Sequence, residues 1–177
     1  MIFLDMDETC VQFVNGVARV TGLTVPDPWP PGVYDLGEAF GAPNARIWRM
    51  INAEGSRFWR ELQPYEWFRD LFDGLCRLDN VCFCSTPSSP ASAAGKLEWI
   101  QEYAPGTEYV LTEHKEILAH SGAVLVDDRE DICSTFRAWG GKAVLFPRPW
   151  NNADGEVEDV LERVGECFRK NILTPDE

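Results

Sequence analysis

Five short apolar runs constrain this chain more than any other feature. They are MIFLD at the start, NVCFCS from residue 80, EYVLT from 108, GAVLVDD from 122 and KAVLFP from 142. Each reads as a strand, the first and fourth as buried ones. PYEWFRDLFDGLCRL, before the second run, has Trp67, Phe68, Leu71, Phe72 and Leu75 at helical spacing. SPASAAGKLEWIQEYA, EHKEILAHS and EDICSTFRAWGG read as the helices between later strands, and GEVEDVLERVGECFRK as a closing amphipathic helix. Strands that alternate with helices are joined by right-handed crossovers. The expected fold class is therefore α/β, with a doubly wound parallel sheet.

One connection does not fit a simple crossover. From Cys10 to Glu61 the chain is rich in Pro, Gly and Trp, with VPDPWPPGVYDLG at its centre. The prolines preclude a long regular helix or a central strand there, leaving loops and short helices. So long a segment after the first strand reads as a small cap. The expected division is a core of residues 1–12 and 62–177 with a cap of residues 13–61.

Charge narrows the partners. Acidic residues outnumber basic ones by 29 to 16, a formal charge of −13, which is the wrong sign for a protein that tracks nucleic-acid phosphates. A small anionic substrate would need a metal ion or local Lys and Arg to reverse that field. The six cysteines form no C-x₂-C pair and several lie in apolar runs, so buried free thiols are expected. No apolar stretch approaches the roughly 20 residues of a membrane span. The first run leaves no room for a signal peptide, and a cytoplasmic location is expected. A homodimer is compatible with the sequence, which says nothing further of assembly.

In doubly wound sheets ligands bind beyond the carboxyl ends of the strands. Strand one ends in Asp5-Met6-Asp7-Glu8-Thr9, strand two in Ser85-Thr86-Pro87 and strand four in Asp127-Asp128-Arg129-Glu130-Asp131. Lys115 follows strand three, and Lys96 lies in the helix after strand two. Acids converging from two strands would repel without a cation, and hard oxygen donors favour magnesium. A hydroxyl and a lysine at the intervening strand ends could hold a phosphoryl group.

These residues carry a resemblance. FLDMDETC resembles the first motif of the haloacid dehalogenase superfamily, Asp-x-Asp-x-Thr after strand one. Ser85, Lys115 and LVDD resemble its second, third and fourth motifs. RFWREL, CSTPSS, GKLEW, VLTEHK, VLVDDRED and LFPRPWN extend the similarity to the 5'(3')-deoxyribonucleotidases, most of all their compact phage and bacterial members. The resemblance implies a Rossmann-like core and a Mg2+-dependent phosphatase for 5'-, and also 3'-, deoxyribonucleoside monophosphates. It implies Asp5 as nucleophile and Asp7 as general acid and base. Metal ligands would be Asp5, the Asp7 carbonyl and Asp128, the last preferred because Asp127 falls where the superfamily has Gly. Ser85, Thr86 and Lys115 would bind phosphate. Lys96 is a second candidate for that task, with a solvated helix face as its other reading. Glu8 stands where Gly is common.

Phe13 matches a base-stacking Phe eight residues after the nucleophile, and Tyr34 and Trp48 fall near other base-contacting aromatics. A nucleobase between such rings gains about 1–3 kcal/mol. The alternative is that the rings form the cap's own core. His114 and His120 read as surface residues. Competing functions are a phosphatase for nucleic-acid 3' ends, one for a non-nucleotide phosphomonoester, and a catalytically silent nucleotide-binding protein. The charge weighs against the first, and a binding module would not need both Asp5 and Asp7.

Overall fold

The computed structural model describes residues 1–169. Lys170, at the end of the expected closing helix, and the rest of the C-terminus lie outside the described residues. The five runs form β1 (Ile2–Leu4), β2 (Val81–Ser85), β3 (Glu108–Leu111), β4 (Val124–Asp127) and β5 (Lys142–Leu145). All pair in parallel, in the order β3-β2-β1-β4-β5. The chain winds outward from β1 on one side to β2 and β3, then returns to place β4 on the other side. The order therefore reverses at β1, and the crevice beyond β1 and β4 is where such sheets bind ligands.

Alternation along the strands splits the core between two faces. Ile2, Leu4, Phe83, Val124 and Val126 face α5 (Phe68–Leu78), α6 (Pro90–Tyr103) and α8 (Val157–Arg169), in one cluster with Leu71, Trp99 and Val160. Phe3, Cys82, Cys84 and Leu125 face α7 (Glu130–Ala138) through Phe136. Ser89 caps α6 through the Ser92 N–H, and Pro90 opens it with the fixed φ a first helical turn requires.

Residues 13–61 hold four short helices: α1 (Phe13–Thr21), α2 (Leu36–Phe40), α3 (Asn44–Ala53) and α4 (Ser56–Arg60). Extended backbone around cis Asp27-Pro28 separates the first two. Trp29, Val14 and Ala39 pack against Trp150, which follows β5, so this segment rests on the sheet's carboxyl side.

Three expectations need correction. EHKEILAHS forms only a four-residue 3-10 turn, Lys115–Leu118, because Ile117 and Leu118 alone cannot anchor a longer helix and Ile117 stays exposed. The thiols of Cys10, Cys82, Cys84 and Cys133 are buried, but Cys76 is exposed. It lies one step round α5 from the buried stripe of Phe68, Leu71, Phe72 and Leu75. Lys96 is not on a solvated face, as described below. Among the described residues no helix is long and apolar enough to cross a membrane.

Candidate active site

Strand pairing delivers the acids. The Asp5 N–H donates to the Val126 carbonyl at 2.9 Å, so β1 and β4 stay zipped until their last residues. One oxygen each from Asp5, Asp127 and Asp128 then lies within 4.8 Å of the others, and all three residues are buried. Lys115, carried in by the 3-10 turn, bonds Asp5 Oδ1 and, at 2.7 Å, Asp127 Oδ2. Two of the three carboxylates thus share one ammonium, and the third lies beside them. Burial pushes the Asp5 carboxyl up to about 7, against the pull of Lys115. Burial, then the charges of Asp127 and Asp5, holds Asp128 well above the usual carboxylate range. Burial alone would lower the Lys115 pKa, but Asp127 and Asp5 override it and keep the ammonium charged.

An all-oxygen cluster short of positive charge suits a hard divalent cation. The two adjacent acids are not equivalent. Asp127 has both oxygens engaged, Oδ2 by Lys115 and Oδ1 by the Arg129 N–H at 2.9 Å. Asp128 Oδ2 accepts from Trp150 Nε1 at 2.7 Å, and no described residue donates to its Oδ1. Asp128 therefore has the oxygen to spare for a metal.

Lys96 forms a second ammonium centre. It is 0% exposed, although the sequence allowed a solvated role. The cause is close helix packing: a Cβ on Gly95 would lie 2.2 Å from the Ser56 carbonyl oxygen, so only glycine lets α6 meet α4 this closely. Lys96 Nζ donates to Asp7 Oδ2 at 2.6 Å, Ser85 Oγ at 2.7 Å and the Thr86 carbonyl at 3.0 Å. The Trp59 ring lies 4.9 Å from it. Lys115 is thus placed beside Asp5, and Lys96 beside Asp7 and Ser85. Asp7 Oδ1 is buried without a partner. Thr86 Oγ1 donates to the Thr112 carbonyl at 3.1 Å. His114 is exposed and pairs with Glu116, away from these groups.

Glu8 has φ +60°, the left-handed region that favours glycine, and such a conformation costs a non-glycine residue about 1–2 kcal/mol. A buried network holds it there. Glu8 accepts from the Val14 N–H at 2.6 Å, from Tyr65 at 2.5 Å and from Arg148 at 2.5 Å. The first bond also places a carboxylate at the α1 N-terminus, where the helix dipole favours it. Arg148 is enclosed by Tyr65, Trp67 and Trp150, with its guanidinium 4.6, 5.5 and 5.1 Å from their ring centres. Arg148→Met should therefore strand Glu8 as a buried, unpaired acid and cost about 3–5 kcal/mol. Urea unfolding would measure this, and a loss below about 1 kcal/mol would show that the network carries little.

A cavity of about 350 Å³ opens above these groups. Asp7, Thr86, Ser88 and Arg129 line it together with Phe13, Trp29, Tyr34, Trp48, Trp59 and Trp150. Phe13 is stacked on Trp59, with centroids 5.4 Å apart and planes 16° from parallel, and Trp48 leans on it at 6.2 Å. The rings therefore form a partial core of their own and still present a wall to the cavity. Sequence alone assigns no role to Arg129, Arg148, Trp150 or Tyr65. A signal exists for three of them, because Arg129 directly follows Asp128, while Arg148 and Trp150 lie in the loop just beyond β5.

The sequence matches no protein-family model and no curated protein. Solved structures do match. YfnB from Bacillus subtilis, described as a HAD-hydrolase bound to magnesium, superposes with a TM-score of 0.61 at 11% identity, over 92% of this chain and 97% of that one. A haloacid dehalogenase-like family hydrolase from Xanthomonas campestris gives 0.58 at 12% identity, over 96% and 93%. The chain has the haloacid dehalogenase-like fold. A Thermotoga maritima protein described as a β-phosphoglucomutase shares this fold with a TM-score of 0.50 at 12% identity, over 96% and 98%. In the dehalogenase-like fold of this chain, the crevice beyond β1 and β4 contains Asp5, Asp7 and Asp128, and the cap segment lies over it.

Proposed function

We propose that this chain is a magnesium-dependent phosphomonoesterase whose substrates are 5'-, and also 3'-, deoxyribonucleoside monophosphates. One observation carries the reading: Asp7, bonded to the buried Lys96, lines a ring-walled cavity of about 350 Å³, and Asp5, bonded to the buried Lys115, lies two residues before it at the end of β1. That volume suits one small ligand, which favours a mononucleotide over a nucleic-acid end. Aromatic walls suit a base, and the buried lysines suit a phosphate.

Asp5, with Oδ1 held by Lys115, attacks phosphorus in line with its other oxygen. The P–O bond to Asp5 forms as the ester P–O bond breaks, and Asp7 gives its proton to the leaving alkoxide. A phosphoryl oxygen arriving between Ser85 and Lys96 takes over one bond of that ammonium and frees Asp7 Oδ2 for this exchange. In the second step Asp7 takes a proton from water, the water oxygen bonds phosphorus, and Asp5 is released with phosphate. Asp5, Asp128 and the Asp7 carbonyl would hold magnesium, which supplies charge stabilisation for the transferring phosphoryl group. The residue division follows the same reading, with the core as 1–12 and 62–177 and the cap as 13–61.

The direct test is phosphate release from a panel of nucleotides and sugar phosphates, with magnesium and with excess chelator. Release should occur only with the metal and be fastest on deoxynucleotides. Full turnover in chelator would remove the metal from the reading, and faster release from sugar phosphates would remove the nucleotide.

Phe13 provides a finer test. If its ring lies against the base, Phe13→Ala should raise KM for nucleotides several-fold and leave hydrolysis of p-nitrophenyl phosphate nearly unchanged. Its contacts with Trp48, Phe58 and Trp59 supply the competing outcome: equal losses on both substrates would mark it as a packing residue.

A further inference from the structure

Asp128 is held from two sides by consecutive residues. Asn151 Nδ2 donates to the Asp128 main-chain carbonyl at 2.8 Å and to the Phe146 carbonyl at 2.8 Å, which ties the loop after β4 to the end of β5. Trp150 Nε1 donates to the carboxylate itself, at 2.7 Å from Oδ2. The indole is 9% exposed and cannot swing away easily. Trp29 packs edge-on at 5.3 Å, Tyr34 at 6.2 Å, and the Arg148 guanidinium lies 5.1 Å from the ring. An indole N–H lies in the plane of its ring, so fixing the ring fixes the direction of the donated bond.

We propose that Trp150 is a positioning residue for the metal. Resting on the magnesium reading of the acidic cluster, it locks the Asp128 carboxylate by Oδ2 and leaves Oδ1 for the ion. Without the indole donor the carboxylate can rotate about its side-chain bonds, and an ion must then pay the entropy of ordering it. Partners that orient metal-ligating groups are typically worth 10–100-fold in affinity. A purely structural role, in which Asp128 serves only as an acceptor for a buried indole, would leave metal affinity unchanged.

Manganese is the probe, because its free and bound forms are separable by electron paramagnetic resonance. The wild-type chain should bind one Mn2+ that magnesium displaces. Trp150→Phe keeps an aromatic ring, though a smaller one, and removes the N–H. It should bind Mn2+ about tenfold more weakly, with its circular dichroism preserved. Equal affinity in Trp150→Phe and wild type would overturn the inference and leave the metal reading standing. Wild-type chain that binds no Mn2+ would overturn the metal reading, and this inference with it. A measurement that needs no variant covers the case where Trp150→Phe does not fold. The chain has seven tryptophans, and in a ¹⁵N spectrum magnesium should shift one indole N–H that Mn2+ broadens. A spectrum in which no indole signal responds to either ion would overturn the proposal.

Discussion

Asp5→Asn is expected to abolish phosphate release on every substrate, because an amide is a very poor nucleophile towards phosphorus. No phosphoenzyme should form, and mass spectrometry after an acid quench should find no added phosphate on the peptide containing residue 5. Folding should survive the change. Three buried carboxylates lie close together in this crevice and only two of them bond Lys115, so removing one charge relieves repulsion, and the metal-free variant should be at least as resistant to urea as wild type. Activity and stability are therefore expected to move in opposite directions, a pattern that general misfolding does not produce. Turnover by Asp5→Asn above background would move the nucleophile elsewhere.

Asp7→Asn should behave differently, since Asp7 acts through a proton. Loss of a general acid costs roughly 10²–10⁴-fold when the leaving group is a sugar alkoxide of high pKa. A nitrophenolate leaves without a proton, so the first step on p-nitrophenyl phosphate should largely survive. The second step still lacks its base, and phosphate should accumulate on Asp5. A burst of nitrophenol followed by slow turnover, with added phosphate found on the Asp5 peptide, is the expected signature. If Asp7→Asn turned over nucleotides at the wild-type rate, another group would have to supply the proton. Glu8 is the nearest acid in sequence, but its oxygens are engaged by Val14, Tyr65 and Arg148.

The strands were legible because each is a local pattern. MIFLD, NVCFCS and GAVLVDD are continuous apolar runs, and central strands of a parallel sheet leave no face to solvent, so their sequence declares them. Alternation with helices dictates a parallel sheet, and the strand-end rule points to the clusters that hold Asp5, Asp7, Ser85, Asp127 and Asp128; the choice between Asp127 and Asp128 rests on the resemblance. Each of those residues sits at the end of the strand that positions it, so chain-local information suffices to place it.

What only the tertiary structure decided depends on distant partners. Lys96 reads more readily as a solvated lysine; its burial depends on Gly95 meeting Ser56 across two helices. Glu8 looks like an excess charge in a glycine position until Arg148, 140 residues away, closes on it. The inequivalence of Asp127 and Asp128 likewise comes from Lys115, the Arg129 N–H and Trp150, each aimed at a particular oxygen. Periodicity and strand ends report which backbone a segment adopts and where it emerges. Which ammonium reaches which carboxylate is settled by side-chain packing between segments far apart in the chain. Desolvation makes each such pairing in the crevice strong, and it leaves no trace in local sequence.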